Sequence, residues 1–279
     1  MTNLASPGLS LSAAASWGAA DFSGGLAAKR ADTFGVVVVA HATGLRFMLT
    51  LALLAHEPVP GRAALLWGAA AGLVGGAGLA ALYRALAIGT MGINAPLSAV
   101  ITAVLPLLFS FLTEGLPRGW QLAGFALALG SIWLIAAQPG GRGRNPGIGL
   151  AVIAGIGFSG FLLFSKLAAA HAVFWPLVAA RAASTLLMLT IVTVRGRGWK
   201  PSAAAVPYML VAGVLDSGAN ALFIAATQRG RLDVAAVLSS LYPASTVVLA
   251  RVVLKERLSR SQSVGILAAL VAVALIAAR

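Results

Sequence analysis

Asp21 stands in a long run of apolar and small residues, one helical turn after Trp17 and beside Phe22. Asp216 stands in another such run, four residues before Asn220, a spacing that puts both side chains on one helix face. A carboxylate in such a setting can alternate between a proton and a cationic ligand, which is the simplest device for coupling two fluxes. It can also pair with a fixed arginine or clamp two helices together. Arg84 is the cation that fits the first role, as partner of Asp21 or Asp216 in a gate or as a site for a substrate carboxylate. Tyr83, Trp17, Phe22 and Tyr242 are the aromatic residues that could wall a planar or cationic ligand, and His41 could pass protons.

Other polar residues read as scaffold. Arg46 and Arg181 fall in corresponding apolar runs of the two halves of the chain, which points to a structural role common to both. Glu114 and Glu256 lie at the ends of such runs beside basic residues and read as ion pairs or loop anchors. Pro96, Pro106 and Pro243 each remove a backbone donor, and Pro243 is expected to kink a helix and serve as a hinge. Enzymatic sets are missing: there is no His-Glu-x-x-His, no Gly-Lys phosphate loop and no Gly-x-Ser-x-Gly. The chain has no cysteine, and its three histidines are scattered. A non-enzymatic protein with no cofactor and no metal is therefore expected. A small-molecule substrate and the lipid bilayer are its expected partners, and a monomer is the simplest assembly.

The elements that hold these residues follow from composition. The chain is 59% hydrophobic and 10% charged, with a mean hydropathy of +0.94. A soluble domain would carry about a quarter charged residues. A helical span needs roughly 20 apolar residues, and the charges fall in short clusters about that far apart. The spacing predicts helices over 9–28, 34–54, 63–88, 93–112, 120–137, 148–168, 173–194, 204–228, 233–254 and 262–278. The runs are too long and too unbroken for barrel strands. The net charge of +13 suggests no nucleic acid, because the basic residues are dispersed over loops, where they meet lipid phosphates. Met1 to Gly8 lacks the basic start of a cleavable leader, and the run that follows is span-length, so it reads as the first helix.

A pattern recurs 141 residues apart, with only the Glu slipping by one: Gly89, Ser98, Glu114, Gly124, then Gly230, Ser239, Glu256, Gly265. Gly to Ser is nine residues in both copies, and the two glycines are thirty-five apart in both. The Gly-, Pro- and Arg-rich stretch 138–146 falls between them. The expected organisation is a first five-helix repeat over 1–137, a connecting loop over 138–146 and a second repeat over 147–279. An odd number of spans per copy turns the two upside down relative to each other, giving an all-α integral membrane protein of ten helices in two inverted repeats. That is an architecture of transporters. A non-transporting scaffold or receptor is the alternative.

The residues also carry a resemblance. Trp17-Gly18 with Lys29, Arg46, Tyr83-Arg84-Ala85-Leu86, Gly89, Ala95-Pro96-Leu97-Ser98-Ala99, Glu114, Gln121 and Gly124 make up the first half's share. The second half contributes 225–230, Leu238-Ser239-Ser240-Leu241-Tyr242-Pro243, Lys255-Glu256-Arg257-Leu258, Gln262 and Gly265. In this order and spacing the chain resembles the EamA-type family of the drug/metabolite transporter superfamily. The resemblance implies a carrier of small metabolites such as amino acids or drug-like compounds, often an exporter, with a cavity between the halves. It implies a bacterial inner-membrane protein with both termini in the cytoplasm. The charge count implies the opposite orientation: twelve Lys and Arg lie on one side of the expected spans and six on the other.

Overall fold

The computed structural model describes residues 5–114, 119–136, 146–168, 172–196, 201–229, 238–239 and 241–277. Among them every regular element is helical: α1 (Ala5–Ala28), α2 (Thr33–Leu54), α3 (Arg62–Ile88), α4 (Met91–Glu114), α5 (Gly119–Ala136), α6 (Ile148–Ala168), α7 (Phe174–Val194), α8 (Val206–Arg229), α9 (Tyr242–Val253) and α10 (Arg260–Ala277). Five of these, namely α2, α3, the stretch Ile148–Ser165 of α6, α7 and α8, are long and apolar enough to cross a membrane. Apolar side chains cover outward faces of these helices too: Leu53, Leu66 and Leu186 are each at least 60% exposed. Such a surface suits lipid and is unlike that of a soluble bundle.

Without a hydrophobic effect between helices in lipid, close packing has to hold the bundle, and small residues permit it. Helix α3 lies against α6 and α7, α1 against α8 and α9, α2 against α7 and α8, and α5 against α10. The stripe of glycines in α3 meets α7 so closely that a Cβ at Gly72 would run into the backbone carbonyl of Ala180. In α8, a Cβ at Gly213 would run into the carbonyl of Ala40. Gly72 and Gly213 are 141 residues apart, the same step that separates the two sequence patterns.

The helix ends are fastened across the halves. Asp32 caps its own helix α2 through the amides of Phe34 and Gly35. Helix α7 has no side-chain cap of its own. Glu57, just past the end of α2, supplies one, accepting from the amides of Val173 at 2.7 Å, Phe174 at 2.9 Å and Trp175 at 3.0 Å. Glu256, just past α9, does the same for α4 through Met91 and Gly92, both at 3.0 Å. A carboxylate at a helix N-terminus satisfies orphan N–H groups and complements the dipole. Each of these glutamates follows a non-glycine residue in the left-handed region, His56 at φ 50° and Lys255 at φ 55°. That single turned residue swings the glutamate off the end of one helix and onto the start of another.

Two expectations about helices change. Pro243 does not kink a span from within: it occupies the first turn of α9, where its missing N–H has no intrahelical partner to lose. Leu238 and Ser239 are helical and Leu241 is a turn, so the backbone breaks ahead of Pro243. Pro96 does lie inside α4. The side chains of Pro106 and Glu114 lie outside the described residues.

Candidate functional site

The residues with chemistry converge where α1, α2, α3, α7 and α8 meet. Arg181 of α7 is buried and donates through Nη2 to Asp216 of α8 at 2.5 Å. Its Nη1 faces Nε2 of His41 in α2 at 2.8 Å. A guanidinium only donates, so Nε2 accepts and the imidazole is neutral with its proton on Nδ1. That proton is directed at Ser184 Oγ, one turn along α7. This arrangement occupies both ring nitrogens and leaves His41 no lone pair for a relay. Gly76 of α3 makes room for it, since a Cβ there would collide with Ser184 Oγ.

Asp21 differs from its neighbours. It is 7% exposed, and among the described residues no group donates to its carboxylate or forms an ion pair with it. It is close enough to Asp216 for their charges to interact. Tyr83 of α3 reaches the same place. Its ring is fully buried against α1, where a Cβ at Gly24 would lie inside the phenol. Gly24 is three residues after Asp21, so the phenol end lies on the same face one turn away. The Tyr83 hydroxyl finds no hydrogen-bond partner among the described residues, although the charges of Asp21, Asp216 and Arg181 all reach it. Ser217 Oγ, packed against Gly44, is the other buried hydroxyl without a partner there.

An aromatic cluster adjoins the carboxylates. Trp17 contacts Phe223 of α8 with centroids 5.8 Å apart and Tyr242 of α9 at 6.2 Å in an edge-on arrangement. Trp17 is one turn from Asp21, and Phe223 is one turn from Asn220. Tyr242 turns its hydroxyl toward Ser98 and Thr102 of α4. Asn220 bonds back to the carbonyl of Asp216 at 2.8 Å. Phe22, next to Asp21, is buried with Leu82, Leu86 and Met91 and serves the core rather than the cluster.

Two expected placements do not hold. Arg84 is exposed near the end of α3, so it pairs with neither acid; Arg181 is the partner of Asp216. Arg46 is exposed on the side of α2 away from its packed face and shares no environment with buried Arg181. The first-half residue that Arg181 meets is His41. One residue earlier on each helix, Ala180 lies against Gly72 and Ala40 against Gly213. Of the two readings of Glu256, ion pair or loop anchor, the structure shows the anchor: it fastens the segment after α9 to the start of α4. Sequence reading did not point to Ser184, Phe223 or Glu57. For Glu57 a signal existed: an acid in a short loop, in a chain whose seventh helix starts without Ser, Asp or Asn. Among the described residues no three metal-ligating side chains gather.

No curated protein matches the sequence. Fifteen chains of known structure match. One, known as "Crystal structure of protein", superposes over 97% of this chain and 95% of its own length with a TM-score of 0.66. At 18% identity that likeness shows the fold alone. The model of the EamA-like transporter family matches residues 145–278. This stretch holds Arg181, Asp216 and Tyr242, and it belongs to the EamA-like transporter family of the drug/metabolite transporter superfamily, to which the repeated motifs of the chain bear their resemblance.

Proposed function

We propose that this protein is a secondary transporter that moves small metabolites or drug-like compounds, amino acids among the candidates, out of the cell by alternating access, coupled to protons. The family match supports the coarse part, a membrane transporter of small solutes, and with the apolar helices it supports a multi-pass membrane location. The bacterial inner membrane is the location proposed. Ten spans in two inverted five-helix repeats are the proposed frame. The helix contacts favour it: α1 on α8 mirrors α6 on α3, and α1 on α9 mirrors α6 on α4. His41 and Arg181, one from each half, touch each other.

The observation that carries the coupling reading is Asp21, a buried carboxylate without a donor beside a neighbour that has one. A buried charge is costly and is retained where it does something. Asp216 is held by Arg181 and belongs to the fixed frame of the site. Asp21 is free to bind and release. Trp17, Tyr83, Asn220 and Tyr242 complete the proposed binding surface.

The test is flux in reconstituted vesicles with an imposed proton gradient, using a mixed metabolite pool and following its depletion. Wild-type protein should drive loss of at least one solute, and Asp21→Asn should lose the dependence on the gradient. An Asp21→Asn protein with full gradient-driven flux would show the coupling assignment to be wrong.

A further inference from the structure

The cluster at the junction of α1, α3, α7 and α8 contains two carboxylates and one guanidinium, with the imidazole neutral by its hydrogen-bond geometry. With both acids ionised the cluster lacks one positive charge. Arg181 cannot supply it, because both ends of its fork are engaged. Neither Arg46 nor Arg84 reaches it, both being exposed. The deficit therefore resides at Asp21, one turn from Trp17, whose ring contacts those of Phe223 and Tyr242. The Tyr83 ring packs on α1 at Gly24, three residues after Asp21, and its buried hydroxyl has no partner among the described residues.

We propose that this site takes solutes carrying a single positive charge on nitrogen, amines or quaternary ammonium compounds, and rejects those whose net charge is negative. The nitrogen sits against the Asp21 carboxylate and the aromatic rings, and the Tyr83 hydroxyl turns its lone pair to an N–H or N–CH3 group. Aromatic faces attract organic cations most strongly where water is excluded. A carboxylate-bearing solute would meet Asp21 and Asp216, and among the described residues the one guanidinium beside them, that of Arg181, is already engaged. The inference rests on the proposed transport role only for placing the site on a path through the protein; the charge selectivity belongs to the site itself.

One proton and one such cation compete for the same place. When the cation enters, the O–H bond of protonated Asp21 breaks and the proton leaves to water. When the cation departs, the bond re-forms; nothing is oxidised or reduced. The titratable groups that share the surroundings of Asp21 are Asp216 on α8, Tyr83 on α3 and Tyr242 on α9; Arg181 on α7 and His41 on α2 stand behind Asp216, joined to it through the guanidinium.

Calorimetric titration of the purified full chain in detergent tests this with benzylammonium, tetramethylammonium and benzyltrimethylammonium as cations. Benzyl alcohol serves as the neutral probe and phenylacetate as the anion. The cations should bind at least tenfold more tightly than benzyl alcohol, and phenylacetate should not bind. Cation affinity should fall about tenfold per unit of acidification wherever the proton competes. Asp21→Asn should abolish both the preference and the pH dependence. Tyr83→Phe, which keeps the ring, should weaken cation binding severalfold and leave benzyl alcohol unchanged. Phenylacetate binding as tightly as benzylammonium, no cation binding at all, or pH-independent cation binding would each overturn the proposal, as would full wild-type cation affinity in Tyr83→Phe. Cation binding without flux in vesicles would sink the transport reading and leave this one standing. Flux of neutral or anionic solutes indifferent to the cations would do the reverse.

Discussion

Arg181 Nη1 and His41 Nε2 lie 2.8 Å apart, so an arginine of one half of the chain fixes the charge state of a histidine in the other. The guanidinium makes the imidazole an acceptor, and the imidazole holds the guanidinium with its other end on Asp216. Three helices are thereby tied through one buried side chain.

Removing that side chain should be costly. Arg181→Met leaves Asp216 and His41 unpaired, and loss of one member of a buried ion pair costs about 3–5 kcal/mol. Thermal unfolding in detergent should show a large drop in Tm. The double variant Arg181→Met/Asp216→Leu should recover much of it, since no lone charge then remains. A double variant no more stable than the single one would speak against the pairing as the source of the loss.

The foreign caps make a milder prediction. Glu57→Ala removes the acceptor for three amides at the start of α7, and Glu256→Ala removes that for two at the start of α4. Each should cost roughly 1–2 kcal/mol, the usual scale for losing a helix cap. Hydrogen exchange should rise at Phe174 and Trp175 in the first variant and at Met91 and Gly92 in the second. Protection unchanged at those amides would contradict the capping role.

Gly24→Ala tests the seat of Tyr83. The new methyl group would enter the phenol ring, which is fully buried and has nowhere to retreat. Overpacking of this kind costs about 1–3 kcal/mol. Gly8→Ala, where a Cβ meets nothing within 4 Å, is the control and should leave Tm unchanged.

Arg84→Ala and Arg46→Ala should each shift stability by no more than about 0.5 kcal/mol, as exposed substitutions away from special features do. Solute flux should survive both. Loss of flux in Arg84→Ala with an unchanged Tm would restore that residue to the transport path.

The helical fold was legible because spans of twenty apolar residues carry a strong one-dimensional signal, and eight of the ten predicted starts lie within two residues of a described helix start. The exceptions are informative. α1 begins at Ala5, not 9, because polar serines such as Ser6 and Ser10 bond to backbone carbonyls and are tolerated in the helix. The ninth helix breaks before Pro243, a position that sequence reading treated as interior. Asp21, Asp216 and Tyr83 announced themselves as polar groups in apolar runs. What stayed hidden was partnership. Arg84, Arg46 and Arg181 look alike in sequence, yet whether an arginine faces lipid, loop or acid depends on helix rotation. That Ala180 meets Gly72 and Ala40 meets Gly213, which brings His41 and Arg181 together, is set by helix packing and not by position along the chain. Glu57 and Ser184 stayed hidden for the same reason: each acts on an element far away along the chain.

The carboxylate of Glu256 also has a position in time. It is made 165 residues after Met91, whose amide it accepts. Helix α4 therefore leaves the ribosome without this cap, and Met91 and Gly92 gain it only once residue 256 has been made. The start of a first-half helix is thus completed from the second half, in the order of synthesis as well as in space.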